Sequence, residues 1–320
     1  MSDFPKSVEF HEEGPREGFQ IEPRSYPPEQ RARLIDMLAG AGLRRIQVGS
    51  FVSPKTVPTM ADTAQLFALV PRRRGVRYTA LWLNEHGFAK ARSVPAVDLE
   101  PNLMLYASDA FSRANNNRSM IAMRDQQADW LDRYSEAGLG VAKAYVMTAF
   151  GCNLQGEVPV GTVTGLFRWV IDLFRDHGLP LPALVLADTV GRANPEAIKR
   201  RVGAVRDLAP EARIGLHLHD TRGLGAANVY AALQIGVDLF DSSVAGLGGC
   251  PFAGHANATV AGNICTEDMA FLCQELGIAT GLDLPALVEA ARYAEAIIGR
   301  PLNGRLMHTG LARPAGATNA

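Results

Sequence analysis

Eight short apolar or β-branched runs, separated by segments of helical periodicity, constrain this chain more than any other feature. The runs cover 7–11, 45–50, 77–83, 102–108, 142–148, 183–189, 214–220 and 239–246. The intervening helical patterns include 28–41, 59–72, 116–137, 161–178, 194–208 and 223–236, the first opened by Pro27-Pro28 and followed by Gly42. This order predicts βα units with parallel strands. Several runs, such as Ala183-Leu184-Val185-Leu186-Ala187 and Leu81-Trp82-Leu83, are apolar at consecutive positions, as strands covered on both faces require. Eight such units in about 250 residues predict a TIM (β/α)8 barrel. The rival, an open doubly wound sheet, lacks its Gly-x-Gly-x-x-Gly after the first strand. After residue 250 the alternation stops, and helical patterns at 266–277 and 284–298 follow. The expectation is one TIM-barrel domain, 1–320, with additional C-terminal helices from position 264.

Composition narrows the function. Thirty-two basic against thirty-three acidic residues give a net charge of −1, which speaks against nucleic acid as a partner. No apolar run approaches the ~18 residues of a membrane span, and the first residues carry neither a signal-peptide h-region nor an Arg-rich transit pattern. Cys152, Cys250, Cys265 and Cys273 show no Cys-x-x-Cys spacing and are too few for a disulfide framework. A soluble cytoplasmic protein is expected.

In a TIM barrel, chemistry sits where strands end, and these ends are rich in polar residues. His217 and His219, two apart on a strand, point to one face while Leu218 points to the other. The pair reads either as structural histidines at a barrel mouth or as metal ligands. Glu17, after the first run, would add a carboxylate and leave open positions on an octahedral ion, Mg²⁺ or Mn²⁺, with Zn²⁺ as the alternative. Gly246-Leu247-Gly248-Gly249-Cys250-Pro251-Phe252 reads as a loop bearing one thiol; Cys250 is either a small loop residue or an acid or base brought in on closure. Cys265 and Cys273 fall within a helical pattern and read as core. His86, His177 and His308 lack partners at ligand spacing, and Arg72-Arg73-Arg74 reads as a solvated helix end or a basic rim for the phosphates of a ligand.

Five segments in order, Gly14-Pro15-Arg16-Glu17-Gly18-Phe19-Gln20, Ser50-Phe51-Val52-Ser53-Pro54-Lys55, Asp188-Thr189-Val190-Gly191, His217-Leu218-His219-Asp220-Thr221 and Asp241-Ser242-Ser243-Val244-Ala245-Gly246-Leu247-Gly248-Gly249-Cys250-Pro251, resemble the 3-hydroxy-3-methylglutaryl-CoA lyase family. Gly262-Asn263-Ile264-Cys265-Thr266-Glu267-Asp268 extends the resemblance. It implies a divalent metal held by Glu17, His217, His219 and Asn263. It further implies that Arg16 stabilises an enolate-like oxygen, that Asp188 assists proton transfer and that Cys250 is the loop catalyst. Gln20, Gln47 and Ser50 are expected to bind substrate. The implied reaction is retro-Claisen cleavage of an acyl-CoA, 3-hydroxy-3-methylglutaryl-CoA giving acetoacetate and acetyl-CoA, by a homodimer or larger homo-oligomer.

Three positions depart from the family pattern. Glu17 stands where the metal carboxylate is usually Asp, Gln47 where these lyases usually place Glu, and the loop from Cys250 to Asn263 is several residues longer. A citramalyl-CoA lyase, or a lyase for a longer branched 3-hydroxyglutaryl-CoA, is therefore the alternative. Condensing synthases of this barrel type carry further C-terminal domains, amidohydrolases place His-x-His on the first strand, and a non-catalytic relative would not need Arg16, His217, His219, Cys250 and Asn263 together.

Overall fold

The computed structural model describes residues 4–249 and 262–311. Eight parallel strands form one curled sheet: β1 (Glu9–Glu12), β2 (Arg45–Ser50), β3 (Arg77–Leu81), β4 (Asn102–Tyr106), β5 (Lys143–Met147), β6 (Ala183–Ala187), β7 (Ile214–His217) and β8 (Leu239–Ser242). Around them run α1 (Pro28–Gly40), α2 (Thr63–Leu69), α3 (Glu85–Arg92), α4 (Asp109–Asn116), α5 (Met120–Glu136), α6 (Val160–Asp176), α7 (Pro195–Leu208) and α8 (Gly225–Gln234). The fold is a TIM barrel. All eight expected strands form, but most ladders stop two to four residues before their runs do. Two helical expectations change in detail. The 116–137 pattern is split by Asn117, left-handed at φ 54° and the cap of α4, from which α5 restarts on a Ser119 N-cap. The unforeseen α3 starts where the Asn84 side chain accepts from the Gly87 amide, a cap that contributes about 1 kcal/mol.

Helix amphipathicity places the outer core. In α6, Val163, Leu166, Phe167, Val170 and Phe174 recur three and four apart and are buried against the sheet, while Asp172, Arg175 and Asp176 face water. Inside the barrel the packing is partly polar. Lys143, the first residue of β5, is buried and bonds Asp241 of β8 across the interior at 2.6 Å.

The sheet order runs β3-β2-β1-β8-β7-β6-β5-β4, so no ladder joins β3 to β4. The two edges nevertheless face each other: Ala80 and Leu81 from one, and Asn102, Met104 and Tyr106 from the other, line a common crevice of about 170 Å³. Helix α5 covers it, and the Gln127 side chain accepts from the Met104 amide at 2.8 Å where a strand carbonyl would otherwise stand.

After β8, α9 (Thr266–Glu275), α10 (Leu284–Ile298) and α11 (Leu306–Thr309) form the expected C-terminal helices. They belong to the barrel's own core: α10 packs on α1, and the Val8 amide bonds the Ala279 carbonyl at 2.9 Å, extending the start of β1. Gly42 shows why the turn after α1 needs glycine, since its φ is +106° and a Cβ would lie 2.5 Å from the Gly281 carbonyl oxygen. No helix among the described residues is long and apolar enough to cross a membrane.

Candidate active site

At the C-terminal ends of the strands opens a cavity of about 620 Å³. Its floor is built from β1, β5, β7 and β8. A single π-type turn, Gly14–Gly18, carries the chain off β1 and brings Arg16 and Glu17 into the cavity wall. β7 ends at His217, and His219 is held by a bridge to Asn263. The carboxylate of Glu17 and the imidazole nitrogens of His217 and His219 lie within 4.8 Å of one another. His217 Nε2 and His219 Nε2 stand 3.1 Å apart, and Glu17 Oε1 is 3.6 Å from the latter.

This geometry fits a divalent cation. Adjacent ligands about 2.1 Å from an ion are about 3 Å from each other, and two ring nitrogens turned together suit a shared cation. Asn263 donates from Nδ2 to Glu17 Oε1 at 3.0 Å, leaving its buried Oδ1 without a partner, an oxygen of the right hardness beside the triad. Gly248 lets the chain pass this close: its φ is +93°, and a Cβ would meet Asn263 Nδ2 at 2.6 Å.

Two charged networks flank the triad. Arg16 donates from Nη2 to Glu13 Oε2 at 2.8 Å, lies 3.2 Å from Glu17 Oε2 and donates from Nε to the Gln47 amide oxygen. Burial alone would lift the Glu17 carboxyl, but Arg16 and the two histidines hold it well below the usual carboxylate range. Beneath His217, Asp241 accepts from Lys143 Nζ at 2.6 Å and from the Tyr145 hydroxyl at 2.8 Å, and lies 3.3 Å from His217 Nδ1. Burial opposes ionisation of Asp241, yet Lys143, then His217, keep it charged; burial and Asp241 push the Tyr145 hydroxyl well above 10. A carboxylate on Nδ1 leaves Nε2 as the ligating nitrogen.

The HMGL-like family model matches residues 7–293. The chain belongs to this family. Among relatives of this HMGL-like chain, the 3-hydroxy-3-isohexenylglutaryl-CoA/hydroxy-methylglutaryl-CoA lyase of Pseudomonas aeruginosa is 38% identical over 309 residues, covering 97% of this chain and 99% of that protein. The (R)-citramalyl-CoA lyase of Chloroflexus aurantiacus is 34% identical over 307 residues, 93% of each. An HMG-CoA lyase from Acinetobacter baumannii, solved with coenzyme A and 3-methylmalate, superposes with a TM-score of 0.86 at 35% identity, covering 100% of both chains.

In the HMGL-like chain, Arg16, Glu17, Gln20, Gln47, His217 and His219 all line the cavity, and Asn263 lies directly behind. Ser50 is buried below the cavity, its hydroxyl donating to Gln20 Oε1 at 3.3 Å. Asp188 is also set back. Its two oxygens accept from the Arg192 and Ala193 amides at 2.7 and 3.0 Å, and it is absent from the cavity lining. Cys250 lies outside the described residues. Arg72 and Arg73 precede β3 at the opposite end of the barrel and pair with Asp98 and Asp36, so the solvated reading holds for them. His177 caps α6, with Nδ1 2.7 Å from the Leu173 carbonyl, and Cys265 and Cys273 are buried. Sequence reasoning passed over Glu13, Lys143, Tyr145 and Asp241. A lysine and a tyrosine two apart within an apolar strand run were the available signal, because both must then face the barrel interior.

Proposed function

We propose that this chain is a divalent-metal-dependent lyase that cleaves the C2–C3 bond of a 3-hydroxyacyl-CoA, with 3-hydroxy-3-methylglutaryl-CoA as substrate and acetoacetate and acetyl-CoA as products. The observation that carries the reading is the Glu17, His217 and His219 triad facing Arg16 across one cavity. Nitrogen and oxygen donors without a described thiolate favour Mg²⁺ or Mn²⁺, held by Glu17, His217, His219 and Asn263. When bound, that ion lowers the pKa of the substrate hydroxyl and fixes its orientation.

The protein residues do the rest. Arg16, anchored by Glu13 and Gln47, presents fixed positive charge where the thioester oxygen becomes an enolate. Gln20, backed by Ser50, and Gln47 present amides to the acyl carboxylate or thioester. Asp188 assists proton transfer, and Cys250 protonates the enolate carbon. Unpaired Cys152, Cys265 and Cys273 fit a reducing cytoplasm.

A larger 3-substituent is the second reading, and the cavity wall favours it. Ile21 and Leu83, 38% and 47% exposed, face the opening, with Val57, Pro58 and Met104 beside them. Such apolar area on a rim is costly unless it is covered by ligand. One assay separates the readings: Mg²⁺- or Mn²⁺-supplemented turnover of 3-hydroxy-3-methylglutaryl-CoA, its isohexenyl homologue and citramalyl-CoA. Equal acetyl-CoA and acetoacetate from the first, abolished by a chelator, is the expected result. Faster turnover of the homologue would shift the assignment to the longer substrate, pyruvate would shift it to citramalyl-CoA, and no product from any of the three would remove it.

A further inference from the structure

The cleavage needs a base for the 3-hydroxyl, and the cavity offers few free ones. Among the described residues its carboxylates and imidazoles are Glu13, Glu17, Glu22, His217, His219 and Asp241. Glu17, His217 and His219 form the triad. Asp241 is saturated by Lys143, Tyr145 and His217. Glu22 is committed to Arg300 at 2.5 Å and to the Tyr26 hydroxyl at the rim. Tyr145 also lines the cavity, but it donates its own proton to Asp241. Glu13 is different: among the described residues its side chain, 7% exposed, is engaged by Arg16 alone, and its backbone amide is fixed to the Ser242 carbonyl at 2.8 Å.

We propose that Glu13 is the base that takes the 3-hydroxyl proton, a carboxylate standing at the end of β1 beside the neutral Gln47 of β2. This rests on the lyase reading above. Glu13 and Gln47 hold two nitrogens of the same guanidinium, Nη2 and Nε, so a carboxylate at either position serves the same reacting end. The proton passes from the hydroxyl oxygen to Glu13, the freed oxygen pair forms the C3 carbonyl, and the C2–C3 pair leaves as the thioester enolate. The enolate carbon takes a proton from the carbon acid, which water reprotonates, and Glu13 releases its own to water.

The test separates cleavage from enolisation. Purified wild-type, Glu13→Gln and Glu13→Asp proteins are compared in Mg²⁺-dependent cleavage and in deuterium exchange from D₂O into the methyl group of acetyl-CoA. Exchange needs Arg16 and the carbon acid but no hydroxyl base. Glu13→Gln is expected to lose cleavage by about 10²–10⁴-fold while exchange and Mn²⁺ affinity stay within a few-fold, and Glu13→Asp is expected to fall between. Cleavage by Glu13→Gln within about tenfold of wild type overturns the proposal. So does an equal loss of exchange, which would make Glu13 only the holder of Arg16. Wild-type protein that cleaves none of the thioesters would instead fell the lyase reading, whatever the variants do.

Discussion

Asp241 shows how much of the site depends on a residue that no motif singles out. Its carboxylate forms an ion pair with buried Lys143 and is the orienting group on His217. Asp241→Asn keeps the volume but strands the lysine, and an uncompensated buried charge costs about 3 kcal/mol or more. It also frees His217 to rotate or change tautomer, which lowers affinity for the metal by about 10–100-fold. Urea unfolding and a calorimetric Mn²⁺ titration should show both losses together; full-strength Mn²⁺ binding in the variant would detach Asp241 from the site. The triad itself was legible because His217-Leu218-His219 carries its geometry in its spacing, and Arg16-Glu17 in a recognisable segment. Asp241 lay in plain view within another segment, but its role needs a partner 98 positions away, and chain separation of that kind leaves no periodic trace.

At the level of elements, the alternation that predicts a barrel records which residues are buried but not which strands pair. All eight runs read as equivalent, yet β3 and β4 remain unladdered. What replaces the ladder is a helix side chain: Gln127, buried in α5, caps the Met104 amide. In sequence it is one polar residue on an amphipathic helix, indistinguishable from a surface position until the seam is seen. Gln127→Ala leaves a strand amide without its acceptor and should cost about 1–3 kcal/mol in denaturant unfolding. Hydrogen exchange should accelerate at Met104 and leave the β5–β8 amides unchanged. Equal protection at Met104 in parent and variant would mean that water already substitutes for the glutamine. The α4–α5 break was hidden for a related reason, since Asn117 in a left-handed cap looks like any other polar residue within the run Asn115-Asn116-Asn117.

For the molecule as a whole, buried carboxyls set how stability follows pH. Glu267, on the first turn of α9, is fully buried with both oxygens near the Ala245 amide; burial, helped by Asp268, lifts its carboxyl to about 8. Glu12 is lifted by burial to about 7 against three hydrogen bonds. The unfolded chain binds these protons with an ordinary value of 4.5. Below that pH both states are protonated and the stabilising contribution is complete. Between 4.5 and about 8 the unfolded state gives up the Glu267 proton while the fold keeps it, so stability falls as pH rises. Within that window each pH unit is worth about 1.4 kcal/mol per group. Glu17 and Asp241, held low, act only on the acid side, and His11, lowered by burial to about 4, pulls the other way below its ordinary 6.5. Comparing a variant with its parent cancels these shared contributions. Glu267→Gln keeps a neutral acceptor for Ala245 and cannot ionise, so its unfolding free energy in urea should decline less steeply from pH 5 to 9 than the parent's. The two curves should converge at the acid end, with the variant the more stable at pH 9. Parallel curves would place the Glu267 carboxyl near its ordinary value and require water at a site where the fold leaves it none of its surface exposed.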